Sequence, residues 1–259
     1  MDEIKGEINE NTFEIQGIKM FLDPIDSLRI FTGSSHESAT TELFKKKIKK
    51  GDVILDIGAH IGYFTLLFAQ LTGENGRVYA FEPAPANFAL LKKNVEINEY
   101  KNVVLVNKAV SDKNGKSVLY LSSESTGIHK IYDTNDGRKS IEVESIRLDD
   151  YFGDYNGKVD WIKIDIEGAE WLALKGMALL LEKNRSLKIV SEFFPHFIKE
   201  SGMDPKEYLM FLKRCGFGHM YNIDEDKKII EIQRSDELLK MYTPENKNIT
   251  NLLFIRNGD

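Results

Sequence analysis

The chain has 259 residues, 42% hydrophobic and 29% charged, which suits one large α/β domain or two small ones around a full core. This composition argues against a disordered, collagen-like or membrane-spanning chain. A net charge of −6 gives no electrostatic footprint for broad nucleic-acid binding. The single cysteine, Cys215, permits no intramolecular disulfide, and the polar start Met1-Asp2-Glu3 lacks a signal-peptide apolar region, so a reducing, cytoplasmic setting is expected. The most hydrophobic window, 53–71, carries Asp56, His60 and two glycines and makes a poor membrane span.

In chain order, residues 6–22 read as a hairpin about Gln16-Gly17. Residues 36–49 read as a helix ended by Gly51, with a lysine-rich last turn. A short apolar run, 52–57, reads as a buried parallel strand and 63–71 as a helix. The pattern repeats: strand 77–81, helix 85–99 with Pro85 in its first turn, strand 103–110. Strands are expected at 115–122 and 139–146, around a loop at 123–138. Then come strand 159–164, a helical region 169–183, strand 187–192, helix 205–214, strands near 218–223 and 228–233, a helix near 236–241 and a last strand, 251–255. Strands alternating with helices predict an α/β fold with a mainly parallel sheet. No Pro/Gly/Ser-rich linker divides it. One domain, 36–259, is expected, with an N-terminal extension, 1–35, and an insertion, 115–146.

The sharpest local feature is Asp56-Ile57-Gly58-Ala59-His60-Ile61-Gly62, between a buried strand and a helix. Glycines there permit a tight turn and close approach to a ligand, and the helix N-terminus offers free N–H donors. The spacing is not the G-x-G-x-x-G of dinucleotide enzymes. Asp56 would repel a pyrophosphate and suit a cationic ligand. Glu82 ends the second strand, 20 residues after Gly62, where a carboxylate can accept both ribose hydroxyls of an adenosine.

These segments resemble the FkbM family of Rossmann-like methyltransferases. The resemblance rests on residues 56–62, Phe81-Glu82-Pro83, Asn107-Lys108-Ala109-Val110-Ser111, Leu148-Asp149-Asp150 and the run 162–170, in that order. It implies a seven-stranded, mainly parallel sheet with an antiparallel last strand, helices on both faces, and S-adenosyl-L-methionine as cofactor. It further implies that Asp56 and Gly58 shape the pocket for the methionine end and that Glu82 holds the ribose. Asn107, Lys108 and Ala109 would lie beside the adenine. Ala59, His60, Gly62, Tyr63, Pro83 and Asp165 complete the expected cofactor set.

Asp165-Ile166-Glu167-Gly168 follows the fourth buried strand. Side chains at i and i+2 of a strand share a side, so Asp165 and Glu167 are expected together in the crevice. Two close carboxylates push one pKa upward, making a base or a cation site. Glu192 ends the next strand and could converge on them, with His196 nearby. Asp165, Glu167, Glu192 and His60 are the catalytic candidates; a helix cap and first-turn acid is the competing reading of Asp165 and Glu167. A divalent cation held by the carboxylates is possible but not favoured, because no His cluster accompanies them.

Gly115-Lys116-Ser117 lacks the rest of a P-loop, and Cys215 has no evident partner. Trp161 and Trp171 read as packing residues, while His36 and Glu37 are placed to line the pocket. Ser125, Thr126, His129 and Tyr132 make the insertion a candidate acceptor-side lid. The resemblance implies O-methylation of a small-molecule or glycan hydroxyl, often on a sugar or natural product, without a nucleic-acid partner. A nicotinamide-dependent oxidoreductase and a non-catalytic cofactor-binding protein are the alternatives.

Overall fold

The computed structural model describes residues 4–9, 12–24, 28, 37–224, 229–232 and 235–256. Three short strands, β1 (Ile4–Asn9), β2 (Thr12–Ile15) and β3 (Ile18–Phe21), form an antiparallel sheet, so the expected hairpin gains a third strand. The helix α1 (Ser38–Lys47) leads into alternating β4 (Val53–Ile57), α2 (Tyr63–Thr72), β5 (Arg77–Phe81), α3 (Pro85–Ile97) and β6 (Val103–Val106). The insertion contributes β7 (Ala109–Val110), β8 (Gly115–Tyr120) and β9 (Ser140–Ile146). After it come α4 (Leu148–Tyr151), β10 (Trp161–Ile164), α5 (Glu170–Lys175), α6 (Ala178–Lys183), β11 (Lys188–Phe193), α7 (Pro195–Glu200) and α8 (Pro205–Arg214). The chain closes with β12 (His219–Asp224), β13 (Ile229–Ile232), α9 (Ser235–Met241) and β14 (Thr250–Ile255).

The main sheet runs β13-β12-β14-β11-β10-β4-β5-β6. Its middle is parallel, from β11 through β6. The last strand, β14, is inserted antiparallel between β11 and β12. These seven strands are the expected Rossmann-like sheet, and β13 adds an eighth along the edge, antiparallel to β12. Alternation along the central strands splits the core into two layers. Ile54, Val78, Ala80, Trp161 and Val190 pack with Phe44, Phe68 and Leu91 of α1–α3. Leu55, Phe81, Ile162, Ile164 and Ile189 pack on the opposite face with Leu174, Leu181, Leu209 and Leu212.

The N-terminal sheet is fastened to α3 by two asparagines one turn apart. Asn94 exchanges hydrogen bonds with the backbone of Phe21 (2.6 and 3.0 Å), and Asn98 with that of Lys19 (2.9 and 2.6 Å). Each carboxamide thus satisfies both backbone groups of one edge residue, as a neighbouring strand would.

Two expected elements are shorter than the sequence suggested. The strand 103–110 stops at Val106, and Ala109–Val110 joins β9 in a separate sheet, which places Asn107 and Lys108 in the turn between. The helical region 169–183 breaks at Gly176 and Met177; Gly176 lies directly against the Ser111 carbonyl, and a Cβ there would sit 2.0 Å from that oxygen. The short helices α4 and α7 were not anticipated. Gly115-Lys116-Ser117 opens β8, with Lys116 paired to Glu142, and forms no phosphate loop. Among the described residues no helix is long and apolar enough to cross a membrane.

Candidate active site

The site lies at the carboxyl ends of β4, β5, β10 and β11, where an open parallel sheet leaves a crevice. Gly58 leaves β4 at φ +84°, and its N–H and that of Ala59 both donate to the Phe81 carbonyl at 3.0 Å. A Cβ at position 58 would meet the Asp165 carbonyl oxygen at 1.9 Å, so only glycine lets the first loop pass the fourth strand. Asp56 is 1% exposed. Its Oδ2 accepts from Thr65 Oγ1 at 2.5 Å, whereas its Oδ1 is buried and without a partner. Burial raises its pKa against the opposing pull of Lys163.

Glu82 joins the loop to the second strand. Its two carboxylate oxygens accept from the backbone N–H of His60 (2.9 Å) and of Ala84 (2.8 Å), and burial drives its pKa up to about 7. Asn107 donates to the carbonyls of Glu82 and Pro83, which fixes that corner from behind. His60 itself takes a left-handed backbone, φ +51°, and its Nε2 lies 2.7 Å from Thr126 Oγ1, which donates to Asp23 at 2.9 Å.

The fourth strand supplies the acidic turn. One oxygen each of Asp165, Glu167 and Glu192 lie within 4.8 Å of one another. Burial raises Glu167 and Glu192 well above the ordinary carboxylate range, and the neighbouring acids add to it. Glu192 Oε2 is shielded and has no hydrogen-bond partner. Lys163, two residues before Asp165, donates to Asp165 Oδ2 at 2.9 Å and lies 4.6 Å from the centroid of the Phe64 ring. Burial disfavours its charge, but Asp165, Glu37 and Asp56 outweigh burial and raise its pKa.

The helix-cap reading of Asp165 and Glu167 does not hold, because Ala169 is the N-cap of α5 and no side chain caps that helix; Glu170 instead holds the turn before it. Its Oε1 accepts from the backbone N–H of both Ile166 and Gly168 at 3.1 Å, leaving the two preceding acids turned into the cleft. Burial lifts Glu170 from 4.5 to about 7. A carboxyl whose folded pKa exceeds its unfolded one contributes stability that is complete below about 4.5 and is lost as pH rises through about 7. Glu170→Gln keeps an Oε1 acceptor for both bonds and removes the buried charge. The variant is therefore expected to lose less stability than the parent between pH 5 and pH 8, with a difference of up to about 3 kcal/mol in denaturant titrations at the two pH values.

Two cavities meet at this turn. One is lined by Gly58, His60, Glu82, Pro83, Lys108, Ala109, Asp165 and Glu167. The other is lined by Glu37, Asp56, Gly58, Ala59, His60, Tyr63, Lys163, Asp165, Glu167 and Glu192. Gly58, His60, Gly127, Asp165 and Glu167 border both. All four catalytic candidates and most of the expected cofactor residues therefore converge. Asn107 and Gly62 line neither cavity: Asn107 buttresses Glu82 from outside and Gly62 caps α2. Nor does His196, whose Nδ1 lies 3.1 Å from the Pro244 carbonyl. Glu37 lines the second cavity, while His36 lies outside the described residues. The insertion covers both cavities rather than the acceptor side alone, with Leu119, Thr126, His129 and Ile131 over the first and Ser125 and Ile128 over the second. Lys163 and Glu170 lie in the run 162–170 that carries the family resemblance but are assigned no role from sequence, because a lone lysine in an apolar strand and a glutamate opening a helix do not disclose their partners.

Trp161 packs in the core beside Phe44, and Trp171 donates to Ser201 Oγ at 3.1 Å, both away from the cleft. Cys215 is half-buried with its thiol pKa raised by burial, which disfavours a reactive thiolate.

Comparison with known proteins identifies the family. The family profile described as the methyltransferase FkbM domain matches residues 56–218. The 31-O-demethyl-FK506 methyltransferase FkbM of Streptomyces tacrolimicus is 27% identical over 160 residues, 51% of this chain and 61% of that protein. Methyltransferase 1 of Beauveria bassiana is 27% identical over 144 residues, 48% of this chain and 57% of that protein. Methyltransferase sdnD of Sordaria araneosa is 30% identical over 155 residues, 48% of this chain and 60% of that protein. The matches thus span about three fifths of these relatives. A solved structure described as an rRNA methylase of Clostridium thermocellum shares the fold, with a TM-score of 0.51, 16% identity, and coverage of 85% of this chain and 94% of that one.

Proposed function

The chain belongs to the FkbM methyltransferase family, and we propose that it catalyses transfer of a methyl group from S-adenosyl-L-methionine to a hydroxyl of a sugar, glycan or natural product. The observation that carries this reading is the meeting of the two cavities at Gly58, His60, Asp165 and Glu167. One cavity offers a buried carboxylate, Glu82, at the end of the second strand, suited to a ribose diol. The other collects five carboxyl groups, Glu37, Asp56, Asp165, Glu167 and Glu192, against one lysine among its described lining residues. That balance, with the unpartnered oxygens of Asp56 and Glu192, fits a cationic ligand. When bound, S-adenosylmethionine supplies an electrophilic methyl group on a sulfonium. Asp56 and Lys163 would bind the methionine end, and Glu82 the ribose. Glu167 takes the acceptor hydroxyl proton on its carboxylate, and its raised pKa makes it a stronger base than an ordinary glutamate. The covering insertion limits water at the acidic turn.

This reading uses no divalent cation, although Asp165, Glu167 and Glu192 are close enough together to hold one; the cation it places beside Asp165 is the Lys163 ammonium. Turnover is expected to survive EDTA; a loss restored by Mg²⁺ would reassign Asp165, Glu167 and Glu192 to a cation. The function itself is tested by incubating the protein with methyl-labelled S-adenosylmethionine and a panel of neutral glycosides and polyketide alcohols. Label is expected in an alkali-stable ether. Label released by mild alkali would indicate a carboxyl ester and overturn the hydroxyl assignment.

A further inference from the structure

We infer that Tyr132, in the insertion, is a positioning residue for Glu167; the inference rests on the role given to Glu167 above. Glu167 holds a left-handed backbone, φ +58°, which for a residue with a Cβ costs energy and persists only when its surroundings enforce it. The polar groups of this turn are tied down from three directions. Glu170 accepts from Ile166 N–H and Gly168 N–H. Ser201 Oγ lies 2.7 Å from the Gly168 carbonyl and 2.8 Å from that of Ile198. The Glu167 carbonyl itself is held by the insertion, through Tyr132 Oη donating at 2.8 Å.

A phenol has one hydrogen to give. Around Tyr132 Oη lie three acceptors, the Glu167 carbonyl at 2.8 Å, Glu200 Oε2 at 3.2 Å and the Phe197 carbonyl at 3.3 Å, and the shortest contact is to Glu167. Burial, and then the neighbouring carboxylates, raise its pKa, so the hydroxyl stays a donor. The arm that carries it is anchored. Lys130, 1% exposed, donates to Glu200 Oε2 at 2.6 Å and lies 3.2 Å from the centroid of the Phe197 ring. Lys130 also exchanges both backbone hydrogen bonds with Tyr120 at the end of β8. Docking of the insertion on α7 thereby sets the backbone from which the Glu167 carboxyl projects.

Tyr132→Phe removes the hydroxyl alone. Hydrogen–deuterium exchange of the segment 165–170 is expected to rise about tenfold, while the melting temperature stays within about 2 °C and the affinity for S-adenosylmethionine within about twofold. In protein labelled with ¹³C at glutamate carboxyls, the signal assigned to Glu167 by its loss in Glu167→Gln is expected to shift its titration midpoint in Tyr132→Phe. Parent-like exchange in 165–170, or an unmoved Glu167 carboxyl, overturns the inference even where cofactor binds normally. Failure of the parent protein to bind S-adenosylmethionine counts against the methyltransferase reading instead, and the exchange and carboxyl measurements still decide the role of Tyr132.

Discussion

Glu167→Gln is expected to lower turnover by about 100-fold or more while leaving the affinity for S-adenosylmethionine within about twofold. The substitution keeps the shape of the side chain and removes its capacity to take a proton. Glu167 borders both cavities, stands within reach of Asp165 and Glu192, and has its proton affinity raised by burial. The first two of these properties survive in glutamine and the third does not. Stability should not fall, because burial disfavours the charge that is removed. Equal turnover in parent and variant would take the base assignment away from Glu167 and leave Glu192 and His60 to be tried. A parallel loss of cofactor affinity would place Glu167 among the binding groups.

Asp56→Asn is expected to act the other way, weakening S-adenosylmethionine binding by about tenfold or more. Asp56 stands in register with Lys163 across the β4–β10 pair, and its Oδ1 is buried without a partner. Such an oxygen is costly unless a ligand completes it. Asparagine keeps an acceptor for Thr65 and leaves Lys163 its ion pair with Asp165, so the fold should survive. A calorimetric titration of a variant shown to melt near the parent separates lost binding from lost structure. Undiminished affinity would mean that the first loop does not hold the methionine end.

Much of this site was legible because its chemistry sits where strands end. The loop 56–62, Glu82 and the acids Asp165, Glu167 and Glu192 follow apolar runs that only a buried sheet explains, and the fold brings them to one crevice. What escaped is tertiary in origin. Lys163 reads as an ordinary strand residue until the register sets it beside Asp56. Glu170 gives no sign that it satisfies two N–H groups of the preceding turn. The need for glycine at 176, where the helical region 169–183 breaks, comes from the Ser111 carbonyl, 65 positions back along the chain by numbering. The insertion's reach over both cavities, and the hold of Tyr132 on Glu167, likewise come from packing on α7 rather than from local pattern.

The central claim is that this crevice is built for S-adenosylmethionine and not for a dinucleotide. Isothermal titration of the protein with S-adenosylmethionine and, separately, with NADH tests it most directly. Saturable binding of S-adenosylmethionine at one site per chain, weakened by Asp56→Asn, with no heat from NADH, is the result expected. Binding of NADH without binding of S-adenosylmethionine would contradict it.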